Sequence, residues 1–275
     1  MPSIKQIICI KWGTAYGPRY VNILYSMVAR NITGPFKLYC FTDNPAGIRA
    51  EVTCHPLPEL GCEIPPGTLG KWRKTALWGR ELPGGVVGTA LFIDLDSIIV
   101  GNIDDFFIYE NPSDMITARN WVKPLQRLGQ TSVFRYEIGS HPYMLENLRA
   151  DPGGISRKYQ FEQHYVTHGV KGGIKFWPAD WVRHFRVHCL PIWPLRMFMA
   201  PRLSPKAKIV TFPGGPNPPD ILAGCWLPND THRTPMEHIK YAWALRDVSG
   251  RHNRMRNLKR YVLPAPWIAE HWRED

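Results

Sequence analysis

The chain has 275 residues, a formal net charge of +11 and 44% hydrophobic residues, enough for one well-buried domain or one domain with an elaborated half. No apolar run approaches the ~20 residues needed to span a bilayer, no signal peptide is visible around the first apolar run, Ile7 to Ile10, and no zinc-finger spacing, RNP-like aromatic motif or repeated basic arm marks a nucleic-acid module. The positive charge favours anionic partners: nucleotide diphosphates, phospholipid surfaces, phosphorylated glycans or nucleic acid in general.

Ile7 to Lys11 (IICIK) predicts a buried first strand. A loop, WGTAYGPRY, leads into a predicted helix over Tyr20 to Arg30, with Val21, Leu24, Tyr25 and Val28 on one face. Phe36 to Phe41 predicts a second strand, closed by Thr42-Asp43-Asn44-Pro45. Strand, helix, strand at this spacing is a βαβ unit. It implies a parallel sheet, whose ligands sit beyond the carboxyl ends of the strands. Val52 to Leu57 reads as a short strand and Leu60 to Leu69 as a Pro/Gly-rich loop. Lys71 to Arg80 (KWRKTALWGR) predicts a helix with Lys71, Lys74 and Trp78 on a common face. That face is either solvated or carries a lysine toward a diphosphate or sugar hydroxyl.

The stretch TALFIDLDSIIVGNIDDFF, Thr89 to Phe107, is the centre of the pattern. An apolar run, Ala90 to Ile93, meets Asp94-Leu95-Asp96, and a second run, Ile98 to Val100, follows. Two carboxylates two residues apart at a strand end are expected to point the same way, with Leu95 turned inward. Ionised carboxylates beside an apolar core need compensation. A hard divalent cation, Mg²⁺ or Mn²⁺, suits such oxygen ligands. Asp-x-Asp on its own is equally a turn or capping pattern, and the flanking strands are what favour a metal here. The ends of three predicted strands then converge on one edge: Trp12 to Tyr20, Thr42-Asp43 and Asp94-Asp96.

Further along, Met115 to Ala118 and Ser132 to Arg135 read as strands, and His141 to Leu148 and Tyr159 to His168 as helices. Trp177 to Trp181 is an aromatic turn, and Lys208 to Phe212 a last strand running into PGGPNPPD. Eleven tryptophans suit sugar or nucleotide sites as well as cores. The tail from Arg251 to Arg260 (RHNRMRNLKR) is basic and is followed by Tyr261, Trp267 and Trp272. It suits an anionic membrane interface, or else a solvated helix with a packed arm. The six cysteines form no CxxC pair, and Cys9 and Cys40 lie in apolar runs, as in a reducing, cytoplasmic setting. Whether Cys54 and Cys62 pair stays open.

The Asp94-Asp96 region, the opening IKWGTAYGPRYVN and the segment KLYCFTDN together resemble GT-A glycosyltransferases, closest in their flanks to glycosyltransferase family 8 and related bacterial enzymes. The resemblance covers most of residues 5 to 225. It implies a GT-A, Rossmann-like α/β fold with a mixed, mainly parallel central sheet flanked by helices. Residues 1–225 would form a single GT-A domain, with a nucleotide-sugar-binding half (1–110) and an acceptor half (111–225), followed by a basic, aromatic extension (226–275). The implied reaction is metal-dependent transfer of a sugar from a nucleotide diphosphate donor, a UDP-sugar, to a glycan or glycolipid hydroxyl, with retention at the anomeric carbon.

By resemblance, Lys11, Trp12, Gly13, Tyr16 and Tyr20 would lie near the nucleoside, and Thr42 and Asp43 near the base or ribose. Lys71, with Lys74, would face the donor, and Asp94 and Asp96 would hold Mn²⁺ or Mg²⁺. Glu162 would hold sugar hydroxyls and Gln163 would face the anomeric carbon, unless the pair is a surface dipeptide. Trp177 and Trp181 are candidate sugar-stacking platforms. KIVTFPGGPNPPD departs from the family pattern: Pro213 stands where a metal-binding histidine is expected, and Asn217 where a lysine is. His164, His168 or water would then complete the shell, while the Gly214 and Gly215 amides approach the diphosphate. Two rival readings remain: a degenerate GT-A protein that binds nucleotide or glycan without turnover, and a nucleotidyltransferase, which would carry a glycine-rich loop after the first strand.

Overall fold

The structure, a computed structural model, describes residues 4–123, 125–245 and 253–275. In chain order it runs β1 (Lys5–Lys11), α1 (Pro18–Asn31), β2 (Phe36–Thr42), β3 (Thr53–His55), a 3₁₀ helix (Trp72–Trp78), β4 (Thr89–Ile93), β5 (Ile98–Ile99), α2 (Asp105–Ile108), β6 (Ile116–Arg119) and β7 (Gly129–Glu137). Then follow α3 (Pro142–Ala150), α4 (Pro152–Tyr159), α5 (Glu162–Gly169), β8 (Lys175–Phe176), β9 (Val182–His184), β10 (Ile209–Thr211), α6 (Pro218–Leu222), α7 (Pro235–Ala244), α8 (Arg254–Leu258) and α9 (Pro266–His271).

The main sheet has seven strands in the order β3-β2-β1-β4-β7-β6-β8. β1 runs parallel to β2 and to β4, and β2 to β3. Only β7 is reversed, antiparallel to both β4 and β6. The expected mixed, mainly parallel sheet with flanking helices is therefore present. A second sheet, β5-β10-β9, sits beside it.

Strand alternation sends side chains into two cores. Ile7, Cys9, Leu91 and Ile93 join one, with α1, the second sheet and the C-terminal Ile268 and Trp272. Ile8, Ile10, Ala90 and Phe92 join the other, beneath the 3₁₀ helix, α3 and α5. With both faces covered, central strands read as unbroken apolar runs, which is why IICI and ALFI were visible in the sequence. All six cysteines are free, so Cys54 and Cys62 do not pair.

Three expectations need correction. Lys71 to Arg80 is a 3₁₀ helix over Trp72–Trp78 rather than an α-helix. Lys71 precedes the helix, with non-helical backbone, and is exposed, whereas Lys74 and Trp78 are buried. Tyr159 to His168 is two helices, broken where Gln160 takes φ +59°, ψ −41° and Phe161 N–H donates to Tyr159 O at 2.6 Å, a γ-turn. Asp94 and Asp96 lie on a tight turn just beyond β4, closed by Ser97 N–H to Asp94 O at 3.0 Å, not within the strand.

Candidate functional site

The carboxyl ends of β1, β2 and β4 share one sheet edge because the strands are parallel. Side chains join the loops there. Gly13, at φ +61°, donates its N–H to Asp43 Oδ2 at 2.8 Å. That bond, more than any other contact, holds the Asp43 carboxyl below its usual range. Lys11 Nζ donates to Asn44 O at 3.1 Å, and Thr42 Oγ1 donates to the same oxygen at 3.0 Å. Both residues are buried. Lys11 and Thr42 thus brace the loops, while Trp12, Gly13 and Asp43 face the open edge.

The Asp94-Asp96 turn is the centre of the site. Its start is tied to β7 by Asp94 N–H to Ser132 O at 2.8 Å, and Leu95, 3% exposed, plugs the core as expected. Tyr16 donates its hydroxyl to Asp96 Oδ2 at 3.1 Å. Asp96 Oδ1 is buried and has no hydrogen-bond partner. Burial, then the neighbouring Asp94 charge, pushes the Asp96 carboxyl up to about 7. Burial, then the Asp96 and Asp94 charges, hold the Tyr16 phenol far above its usual range, so it remains a donor.

Lys74 comes in from the 3₁₀ helix. Its ammonium reaches both Asp94 oxygens, at 2.8 and 3.0 Å, and the backbone oxygen of Thr131 at 2.9 Å. The Phe92 ring lies beneath it, 4.7 Å from the cation. Thr131, on β7, in turn donates its hydroxyl to Glu162 Oε2 at 2.7 Å. Glu162 is 5% exposed, and its Oε1 has no partner. Burial raises its carboxyl to about 7, against the opposing pull of Lys74 and the Thr131 hydroxyl. The result is a hydrogen-bonded pair, Tyr16–Asp96, beside a polar chain, Asp94–Lys74–Thr131–Glu162, along the edge of the sheet.

The late loop approaches from the second sheet. Tyr20 packs on Tyr16 with ring centroids 4.8 Å apart. Its phenol is pushed up to about 12 by burial and then by the charges of Asp220 and Asp96. Gly214 and Gly215 both have positive φ, +74° and +70°. A Cβ on Gly215 would meet nothing within 4 Å, so this backbone is open to a ligand.

Several expected residues stand elsewhere. Lys71 is exposed ahead of the 3₁₀ helix, and Lys74 takes the central place. His164 is engaged through Nδ1 with Tyr159 O at 3.1 Å, and the His168 ring stacks on Tyr159. Among the described residues no group of three or more His, Cys, Asp or Glu side chains is placed to hold a metal. Gln163 is half-buried in the first turn of α5, next to Glu162. Trp177, 4% exposed, spends its Nε1–H on Val133 O at 3.3 Å, and Trp181 packs on Phe106 and Tyr109. Neither is a free stacking platform. Thr131 was missed, because inside a strand buried on both faces it carries no signal that distinguishes it from a core threonine.

No protein-family model matches the chain, and no curated protein matches its sequence. Solved structures do match. A galactosyltransferase, LgtC, determined with donor and acceptor sugar analogs, aligns at TM-score 0.56 and 10% identity over 96% of this chain and 99% of its own. The bifunctional glycosyltransferase WbbM aligns at 0.50 and 8% identity, over 79% of this chain and 47% of its own. The glycosyltransferase GlyE of Streptococcus pneumoniae TIGR4 aligns at 0.50 and 12% identity, over 78% and 56%. At these identities the likeness establishes the fold, and the fold is that of GT-A glycosyltransferases.

Proposed function

We propose that this protein is a glycosyltransferase that moves a sugar from a nucleotide diphosphate donor, a UDP-sugar, to a hydroxyl of a glycan or glycolipid. One observation supports this above all: on a GT-A fold, Asp94, Lys74 and Glu162 are linked through Thr131 by an ion pair and hydrogen bonds at the carboxyl ends of the parallel strands, with the Tyr16–Asp96 hydrogen bond on the same turn as Asp94. Breaking the anomeric bond builds positive charge on the sugar and negative charge on the departing diphosphate. Lys74 is a preplaced cation for the second charge. Glu162, with its free Oε1, accepts a sugar hydroxyl, and the adjacent Gln163 faces the reacting carbon. Gly13 and Asp43 frame the nucleoside, and the Gly214 and Gly215 amides the diphosphate. Retention at the anomeric carbon is part of the proposal, read by NMR of the product.

Mg²⁺ or Mn²⁺ fits the Asp94-Asp96 pair, because Asp96 Oδ1 is a buried oxygen with no partner beside a second carboxylate. When bound, such an ion supplies a Lewis acid against the diphosphate charge. Diphosphate oxygens and water would complete its shell.

The deciding experiment replaces Asp94 and Asp96 separately with Ala and follows Mn²⁺-dependent turnover of UDP-sugars. A loss of about 100-fold or more in kcat is expected. Unchanged metal-dependent turnover in both variants removes the assignment. Binding without turnover is a second reading, favoured by Pro213 in place of a histidine. Calorimetry with UDP and Mn²⁺, beside a donor-hydrolysis assay, separates the two.

The proposal extends to peripheral contact with an anionic membrane. Arg251 and His252 of the basic tail lie outside the described residues. Arg254 to Leu258 form α8; Arg254 lies over Trp243 of α7 at 5.3 Å, and Met236 and Trp243 of α7 and Met255 of α8 are exposed. No helix among the described residues is long and apolar enough to cross a membrane. Truncating the tail is a poor test, because Val262, Ala265, Ile268 and Trp272 are core residues. Arg254→Glu with Arg256→Glu is better. At about 1 kcal/mol per cation, anionic-liposome affinity should fall at least tenfold, and unchanged co-sedimentation ends the membrane reading.

A further inference from the structure

A cavity of about 370 Å³ is lined by Arg119, Trp121, Phe176, Arg183 and His188, among others. β6 is antiparallel to β7, and β7 to β4, so β6 points the same way as β4. β8 is parallel to β6. Arg119 and Trp121 end and follow β6, and Phe176 ends β8. The cavity therefore opens at the same sheet edge as Asp94, about 10 Å away at two strand spacings.

Its chemistry is specific. Among the described residues that line it there is no carboxylate, but there are two guanidinium groups and an imidazole. Arg127 adds a third guanidinium, 5.5 Å from the centroid of the Phe176 ring, and Arg119 stands 5.9 Å from it. Arg183 pairs with Asp180 through one Nη, while its Nε is buried without a partner. Trp121 is held edge-on by His184 and His188, at 5.6 and 6.0 Å. Aromatic faces suit the apolar faces of a sugar ring, and forked guanidinium donors suit a phosphate or carboxylate.

We propose that this cavity is the acceptor site and that the acceptor is an anionic glycan, one bearing a phosphate or a carboxylate. The proposal rests on the transferase reading for the word acceptor, but the anionic-sugar site stands on its own geometry. The ring lies against Trp121 and Phe176, and the anionic group meets Arg183 and Arg119. A hydroxyl of the same glycan is left facing the Asp94 edge.

Calorimetry at fixed ionic strength with glucose, glucuronate, glucose 6-phosphate and inorganic phosphate tests it, each titrated into the full chain. At least one anionic sugar should bind tenfold or more tighter than glucose, and the comparison of the two identifies carboxylate or phosphate. Arg183→Gln should cost about tenfold in that affinity and leave UDP binding unchanged. Because loss of the Asp180 pair can perturb folding, Val187→Glu, at an exposed lining residue, is the second variant. It should weaken the anionic sugar and spare glucose. Equal affinity for glucose and the anionic sugars overturns the proposal, as does inorganic phosphate binding as tightly as glucose 6-phosphate with no binding of glucuronate. Anionic-sugar binding in a protein that does not bind UDP keeps this site and ends the transferase reading.

Discussion

Lys74 sets the charge balance of the candidate site. It is 6% exposed, and its ammonium is shared between Asp94 and the Thr131 carbonyl. Lys74→Met leaves the Asp94 carboxylate facing Asp96 and Glu162 without its cation. Turnover should drop about 100-fold or more, and stability by about 3 kcal/mol, since breaking one half of a buried pair strands the other. Pairing it with Asp94→Asn should restore part of the stability in urea denaturation and none of the turnover. A purely structural lysine predicts that both recover. Asp104 is a different case. Burial tends to raise its carboxyl, but hydrogen bonds from Lys5, Thr33 and Asn102 outweigh that and hold it well below the usual range. A depressed pKa means the pair stabilises the fold above the ordinary carboxylate value, 3.8, and that this contribution is lost as the pH falls below it. The Asp104→Asn variant should accordingly be less stable at neutral pH by up to about 1 kcal/mol. It should converge on the parent in thermal melts toward pH 2, and a constant difference across pH excludes the linkage. Tyr16, Asp94, Asp96 and Glu162, which the structure brings to one sheet edge, were named from the sequence through spacing and resemblance. Lys74 was named beside Lys71, but which of the two is buried was not legible, because that is set by packing against Asp94 and Phe92 rather than by a period.

The elements that the sequence revealed most clearly are the ones that packing dictates. β1, β2 and β4 are apolar on both faces and bounded by loops, so their extents were predicted nearly to the residue. Short β5 was visible as the run Ile98 to Val100, but β8, β9 and the 3₁₀ helix were not, since they owe their form to neighbours rather than to a period. The break at Gln160 is the plainest instance. YQFEQHYVTH reads as one continuous helix, yet the chain reverses there so that Glu162 opens α5 and turns inward to Thr131. A non-glycine residue in this conformation is strained by about 1–3 kcal/mol. Gln160→Gly should relieve part of that and raise the urea midpoint, with a gain of about 1 kcal/mol. If turnover falls while stability rises, the strain holds Glu162 in place. A lower midpoint means that the turn is maintained by contacts of the Gln160 side chain.

At the scale of the whole molecule, the two cores join the chain from end to end. Ile7 and Val21 share a core with Phe212, Ile268 and Trp272, and Trp272 packs on Tyr20 at 5.4 Å, one ring away from Tyr16. The C-terminal residues are thus part of the body that supports the polar chain. The reversed strand β7 has the same effect on a smaller scale, bringing Thr131 between Lys74 and Glu162. Tyr16, Lys74, Asp94, Thr131 and Glu162 come from separate segments that only the finished sheet brings together. Such long-range closures form late in folding. A partly folded chain has no complete site to offer a nucleotide, so bound ligand acts after the rate-limiting barrier is crossed. Saturating UDP and Mn²⁺ should therefore slow unfolding in stopped-flow experiments and leave the refolding rate unchanged. In practical terms such a ligand would be a preservative of the folded chain, lengthening its lifetime without helping a fresh chain to fold.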